Sequence, residues 1–133
     1  MPVSEAQRKG SELRRQLMGE GFADRINQTV YNDPHMQKFR ELTTETIFGT
    51  LWTRPGLDLK TRALICVVSD ACTGRAPELG LHVRMALRQG WTEDELTEVL
   101  LHLLGYVGAP LVREALLTAT EVYKEVRSAG GER

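Results

Sequence analysis

Apolar positions recur along most of the chain at intervals of three and four, and the strict alternation that a half-buried strand needs is nearly absent. A first amphipathic segment runs from about Ser4 to Met18, with Ser4 and Gln7 at the spacing of a capping box and Gly19 and Gly21 ending it. After a short stretch over residues 23–31, Asp33 followed by Pro34 opens a helix that reaches about Thr50. The aspartate can accept from a free amide of the first turn, and a proline there has no amide to lose. Met36, Phe39, Leu42, Thr43, Thr46, Ile47, Thr50 and Leu51 follow at helical spacing, so one side of this helix is expected to be buried.

Residues 51–57 read as a loop, because Pro55-Gly56 favours a tight turn and Arg54, before the proline, is pushed out of the helical region. Asp58 then caps a helix from Leu59 to about Thr73, stopped by Gly74, and Pro77 starts another that ends at Gly90. Thr92 and Glu95 form a second capping box for a helix to about Tyr106, and Pro110 begins the last one, which runs to about Arg127. Six or seven helices with short connections predict an all-α class, a compact orthogonal or bundled array. Residues 99–104 are apolar almost all round, which places them in the middle of the domain or at a subunit contact. The last helix carries a wide stripe (Leu111, Val112, Ala115, Leu116, Ala119, Val122), a breadth that suggests burial on two sides and hence a homo-oligomer.

Composition narrows the functional classes. The 133 residues carry 17 basic and 18 acidic side chains, a net charge of −1, which removes the electrostatic reason to expect nucleic acid or an anionic membrane as partner. The length suits one domain over 1–133, with a core at about 35–126, an N-terminal helical extension over 4–31 and a frayed tail at 128–133. No secretory signal is visible at the start, and the longest apolar run, 100–112, is too short to span a bilayer, so a cytoplasmic protein is expected. Cys66 and Cys72 are too few for a disulfide scaffold. Six residues apart on a helix, they stand about 9 Å and about 120° from one another, too divergent for a disulfide.

Glu78 and His82 share one helix face at a spacing of four, an arrangement that serves either as an exposed ion pair or as a general acid/base pair with the carboxylate fixing the imidazole. His102 and Tyr106 repeat the spacing on the most apolar helix, where a polar group is either a satisfied core residue or part of a cavity wall. Asp70, on an otherwise apolar helix, is a cavity carboxylate or a solvated edge residue. Arg54, Arg62 and Arg84 have the fork that can grip a substrate carboxylate, although taken singly each is more often a surface ion-pair partner. Trp52 offers an apolar wall beside Arg54-Pro55-Gly56. No metal-ligand cluster is visible.

Taken in order, residues 51–62 (LWTRPGLDLKTR), 77–84 (PELGLHVR), 90–102 (GWTEDELTEVLLH) and 106–110 (YVGAP) resemble the carboxymuconolactone decarboxylase family over about residues 35–126. The resemblance implies an alkylhydroperoxidase-like helical scaffold assembled as trimers or hexamers, with sites near subunit contacts. It also implies a cofactor-free lyase of aromatic-compound degradation that acts on 4-carboxymuconolactone or a similar small carboxylated lactone or oxo-acid. By motif, Glu78 and His82 fall on the family's Glu-x-x-x-His pair, with Arg62, His102 and Tyr106 lining the same region.

The chemistry this requires is simple. Loss of carbon dioxide leaves an electron pair that a conjugated carbonyl can take up as an oxyanion, for which His102 or Tyr106 would be donors. His82, oriented by Glu78, would then protonate carbon, while Arg62 or Arg54 holds a retained carboxylate. Asp70 and Cys72 depart from the small apolar stretch expected in such decarboxylases and are assigned to the substrate side. Two other functions remain open: a thiol-dependent peroxidase using Cys72, although the Cys-x-x-Cys pair of that branch is missing, and a non-catalytic helical oligomer that binds a ligand.

Overall fold

The computed structural model describes residues 3–129, and these are helical with no strand among them. The chain divides into two compact units, Met1–Leu57 and Asp58–Arg133. The all-α class expected from the periodicity is the class observed.

In the first unit, α1 (Glu5–Met18) is capped by Ser4, whose hydroxyl accepts from the Gln7 amide at 3.0 Å. Gly19, at φ +90°, ends it, and α2 (Glu20–Thr29) restarts at the next residue. Gly21 therefore lies inside a helix rather than ending one, since a single interior glycine costs only about 1 kcal/mol and α2 buries Ala23. Asp33 caps α3 (Pro34–Thr43) through the His35 amide at 2.8 Å, as its position before proline predicts.

The expected single helix to Thr50 instead widens into a π-helical stretch, Thr44–Leu51. Threonine hydroxyls inside it donate back to the ladder, Thr46 to the Leu42 carbonyl at 2.8 Å and Thr50 to the Glu45 carbonyl at 3.0 Å, which loosens the regular pattern. This stretch packs on α1 backbone to backbone. A Cβ on Gly10 would stand 1.9 Å from the Thr44 carbonyl oxygen, and one on Gly49 would stand 1.9 Å from that of Ala6.

In the second unit, α4 (Leu59–Thr73) is capped by Asp58, which accepts from the Thr61 amide at 2.8 Å, and it ends at Gly74 in the left-handed conformation, φ +69°. Then come α5 (Ala76–Arg88), α6 (Glu93–His102) behind the complete Thr92/Glu95 capping box, the single turn α7 (Leu104–Val107) and α8 (Ala109–Ser128). The core of this unit is built from Val67, Leu79, Val83, Leu96, Leu100, Val112 and Ala119, all but fully buried. Each large aliphatic among them contributes about 1.5–3 kcal/mol by leaving water. Trp91, between α5 and α6, donates its indole N–H to the Lys60 carbonyl at 2.8 Å, while the Lys60 ammonium lies 4.5 Å from its ring centroid.

Two expectations change here. The helix expected to reach Tyr106 stops at His102, because the backbone tightens at Leu103 (ψ −13°) and Gly108, at φ +92°, prevents continuation past α7. Of the apolar run 99–104 only Leu100 is fully buried; Leu101 and Leu104 are exposed, so within one chain the run lies at the surface. Ser128 still belongs to α8, and residues 130–133 of the expected tail lie outside the described residues. Among the described residues no helix is long and apolar enough to cross a membrane.

Candidate active site

The site is built on α4 and α5. On α4, Ala63, Val67 and Ala71 turn inward, and Arg62, Cys66 and Asp70 follow one another at intervals of four along a neighbouring stripe. The stripe runs inward toward its end: Arg62 and Cys66 are half-buried and Asp70 is buried. On α5 the fully buried Leu79 and Val83 press that helix into the core and fix the direction of His82 between them. The result is a direct contact between His82 Nδ1 and Asp70 Oδ2, twelve residues apart in sequence. The side chains are 21% and 10% exposed respectively, so the carboxylate is sheltered while one edge of the ring stays open.

This contact determines the state of the ring. An ionised carboxylate can only accept, so opposite one His82 donates from Nδ1 and leaves Nε2 outside the pair. Burial, reinforced by the charge of Asp70, pushes the Cys66 thiol up to about 11, which makes it a poor nucleophile at neutral pH. Cys66 and Cys72 are both free thiols.

Glu78, one turn before His82, is exposed, and the carboxylate on the imidazole is Asp70 rather than Glu78. The i,i+4 spacing puts Glu78 on the right face, but α4 brings in a nearer acid. His102 and Tyr106 keep each other's company, ring centroids 5.3 Å apart, yet both are exposed, Tyr106 at 76%. Arg84 is buried, with Nη2 3.4 Å from Glu125 Oε2, and is a structural ion pair rather than a substrate fork. Trp52 and Arg54 belong to the first unit, where Trp52 is buried against Phe48 (centroids 6.0 Å apart) and Arg54 is exposed.

Two hollows lie in this unit, and one of them borders Asp70. One, lined by Asp70, Leu79, Leu111 and Ala115, has a volume of about 10 Å³, room for a single water beside the carboxylate. The other is an apolar groove of about 310 Å³ along Leu101, Leu104, Val112, Leu116 and Leu117. Asp70 was visible in the sequence as an acid out of place on an apolar helix; its partner was not, because the pairing depends on how α4 packs against α5.

The model of the carboxymuconolactone decarboxylase family matches residues 37–121. Among curated proteins, the chain is 34% identical to the 4-carboxymuconolactone decarboxylase of Acinetobacter baylyi over 90% of its own length and 87% of that protein's. It is 33% identical to the nitrosuccinic acid decarboxylase of Metarhizium robertsii over 92% of its length and 84% of that protein's. An uncharacterized 15.0 kDa protein of Paracoccus denitrificans is 36% identical over 61% of this chain and 62% of its own.

Proposed function

The chain belongs to the carboxymuconolactone decarboxylase family and is a carboxy-lyase, and we propose that it removes carbon dioxide, without a cofactor, from a small carboxylic acid that carries an electron sink next to the carboxylate it loses. The observation that carries this reading is the sheltered Asp70–His82 pair. The names of two relatives point the same way: a carboxylated lactone and a nitro-substituted succinic acid each carry an electron-withdrawing group able to hold the pair left by departing carbon dioxide.

The electrons of the breaking carbon–carbon bond move into that group as carbon dioxide leaves. Nε2 of His82, having taken a proton from water, gives it to carbon, and the Asp70 carboxylate stabilises the cationic ring that exists between the two transfers. One proton is consumed and no electron enters or leaves. Glu78, exposed one turn away, relays that proton from solvent, and Arg62 on the α4 stripe holds a retained carboxylate.

His102 and Tyr106 supply oxyanion donors from an edge that includes the exposed Leu101 and Leu104. In a homo-oligomer, a trimer or hexamer, a second copy covers that edge and dries the donors, which strengthens their hydrogen bonds. Cys72 borders the substrate. The setting proposed is cytoplasmic catabolism of aromatic compounds by the β-ketoadipate route.

The test is carbon dioxide release from 4-carboxymuconolactone and from nitrosuccinate. His82→Ala, folded by circular dichroism, is expected to lose about 10²–10⁴-fold in kcat on whichever acid is turned over. Undiminished turnover in that variant would remove His82 from the reaction.

A further inference from the structure

The first unit holds a charge that nothing above uses. On α1 the buried positions are Gly10, Arg14, Leu17 and Met18, so an arginine occupies a place that the helical pattern reserves for the core. Arg14 is 6% exposed. Its Nη1 donates to Asn27 Oδ1 at 3.2 Å, and the guanidinium lies over the Tyr31 ring, 5.2 Å from the centroid. Nη2 is buried and has no hydrogen-bond partner among the described residues. Burial, opposed by the Tyr31 hydroxyl and aided by the Arg40 charge, pulls Arg14 below the usual arginine range. The next residue offers a contrast, since Arg15 is occupied by Glu20 at 2.7 Å and Asp24 at 2.9 Å.

Arg14 and Arg40 line, with Gln7, Ser11, Asn27 and Thr44, an open cleft of about 480 Å³. That is the size of a small-molecule site; Arg15 also lines it but is held by Glu20 and Asp24, which leaves Arg14 and Arg40, with four neutral polar side chains, as the lining an organic acid needs. The one acid on this wall among the described residues, Glu41, is exposed. A buried cation with an unmet donor is costly, and an oxyanion held nearby offsets part of that cost.

We propose that this cleft is a carboxylate-binding site for a small organic acid. The carboxylate lies between Arg14 and Arg40 and offsets the buried Arg14 charge across the cleft wall, while the amide and hydroxyl groups take the rest of the molecule. All its lining residues belong to the first unit and none is Asp70 or His82, so its occupancy does not depend on the chain being a decarboxylase.

The experiment is calorimetric titration and thermal unfolding of the full chain with sodium succinate, against sodium chloride at equal ionic strength and against inorganic phosphate. Saturable succinate binding with a rise in Tm is expected, weakened roughly tenfold or more by Arg40→Gln and abolished by Arg14→Gln, as loss of a charge-assisted hydrogen bond implies. His82→Ala is expected to leave it unchanged, which distinguishes this cleft from the active site. Should Arg14→Gln fail to fold, the half-buried Arg40 carries the test alone. The proposal is overturned by succinate acting no differently from chloride, by binding that Arg40→Gln leaves intact, or by binding of phosphate alone. It is also overturned if succinate does not bind and Arg14→Gln changes the sedimenting mass, because the missing acceptor is then an acid of a second copy.

Discussion

Each unit buries a charged side chain, and the two are treated differently. In the second unit Asp70 meets His82 across two helices whose neighbouring residues are fully buried, so the contact is held by the core around it. In the first unit Arg14 is buried more deeply than His82, yet one of its nitrogens has no acceptor. A buried charge with its partner in place is machinery already assembled; one with a nitrogen left unbonded is the feature from which a binding site was proposed. The packing differs too. The first unit brings backbones into contact at Gly10 and Gly49, whereas the second interdigitates aliphatic side chains.

The comparison breaks most visibly at the glycines. Gly49→Ala puts a methyl group where the Ala6 carbonyl already stands, and the loss of stability is expected to be about 3 kcal/mol or more by denaturant titration, with Gly10→Ala similar. The matching change in the second unit is mild. A Cβ on Gly80 would meet Thr118 and Val122 at 3.7 Å, ordinary contact, so Gly80→Ala is expected to be neutral or stabilising by up to about 1 kcal/mol. Equal losses from both changes would remove the distinction.

Next in size is Asp70→Asn. It keeps the shape but loses the charge and the tautomer control, and kcat is expected to fall about 10²-fold, roughly 2.7 kcal/mol of transition-state stabilisation, against a few-fold for Glu78→Gln. The reverse order would return the orienting role to Glu78.

Cys66 sharpens the picture through pH. Its thiol is pushed up to about 11 from an ordinary 9.0, so the stability it lends is complete below pH 9 and is lost as pH rises toward 11. Unfolding free energies measured across that window should fall, and Cys66→Ala should flatten the fall.

The smallest effect is at the α6 cap. Thr92→Ala is expected to cost about 1 kcal/mol. The Glu95 carboxyl is held below its usual range chiefly by the Thr92 backbone amide, so the cap's contribution is present above pH 4.5 and declines as pH falls below it.

What was legible in the sequence is what the chain settles locally. Ser4, Asp33, Asp58 and the Thr92/Glu95 box announce helix starts because a cap bonds to an amide two or three residues away. Gly74 announces an end for the same reason, needing only its own backbone angle. The π-helical stretch was illegible, since its threonine hydroxyls only loosen the ladder and the close packing against α1 is not displayed by Thr44–Leu51.

The candidate site follows the same division. His82 stands out by motif, and Asp70 by its incongruity on an apolar helix, but their pairing is set by packing of α4 on α5 over twelve residues of sequence. Glu78 looked the better partner because spacing along one helix is all that a sequence displays. Arg14 carries a signal in the sequence as well, a charge at a core position of an amphipathic pattern.

The most direct test of the account is the ¹⁵N spectrum of the His82 ring in the intact protein near neutral pH. If Asp70 orients the imidazole for proton delivery, Nδ1 carries the fixed proton, Nε2 is the nitrogen that titrates, and Asp70→Asn disturbs that preference. A neutral ring protonated at Nε2, or a spectrum that Asp70→Asn leaves untouched, would contradict it.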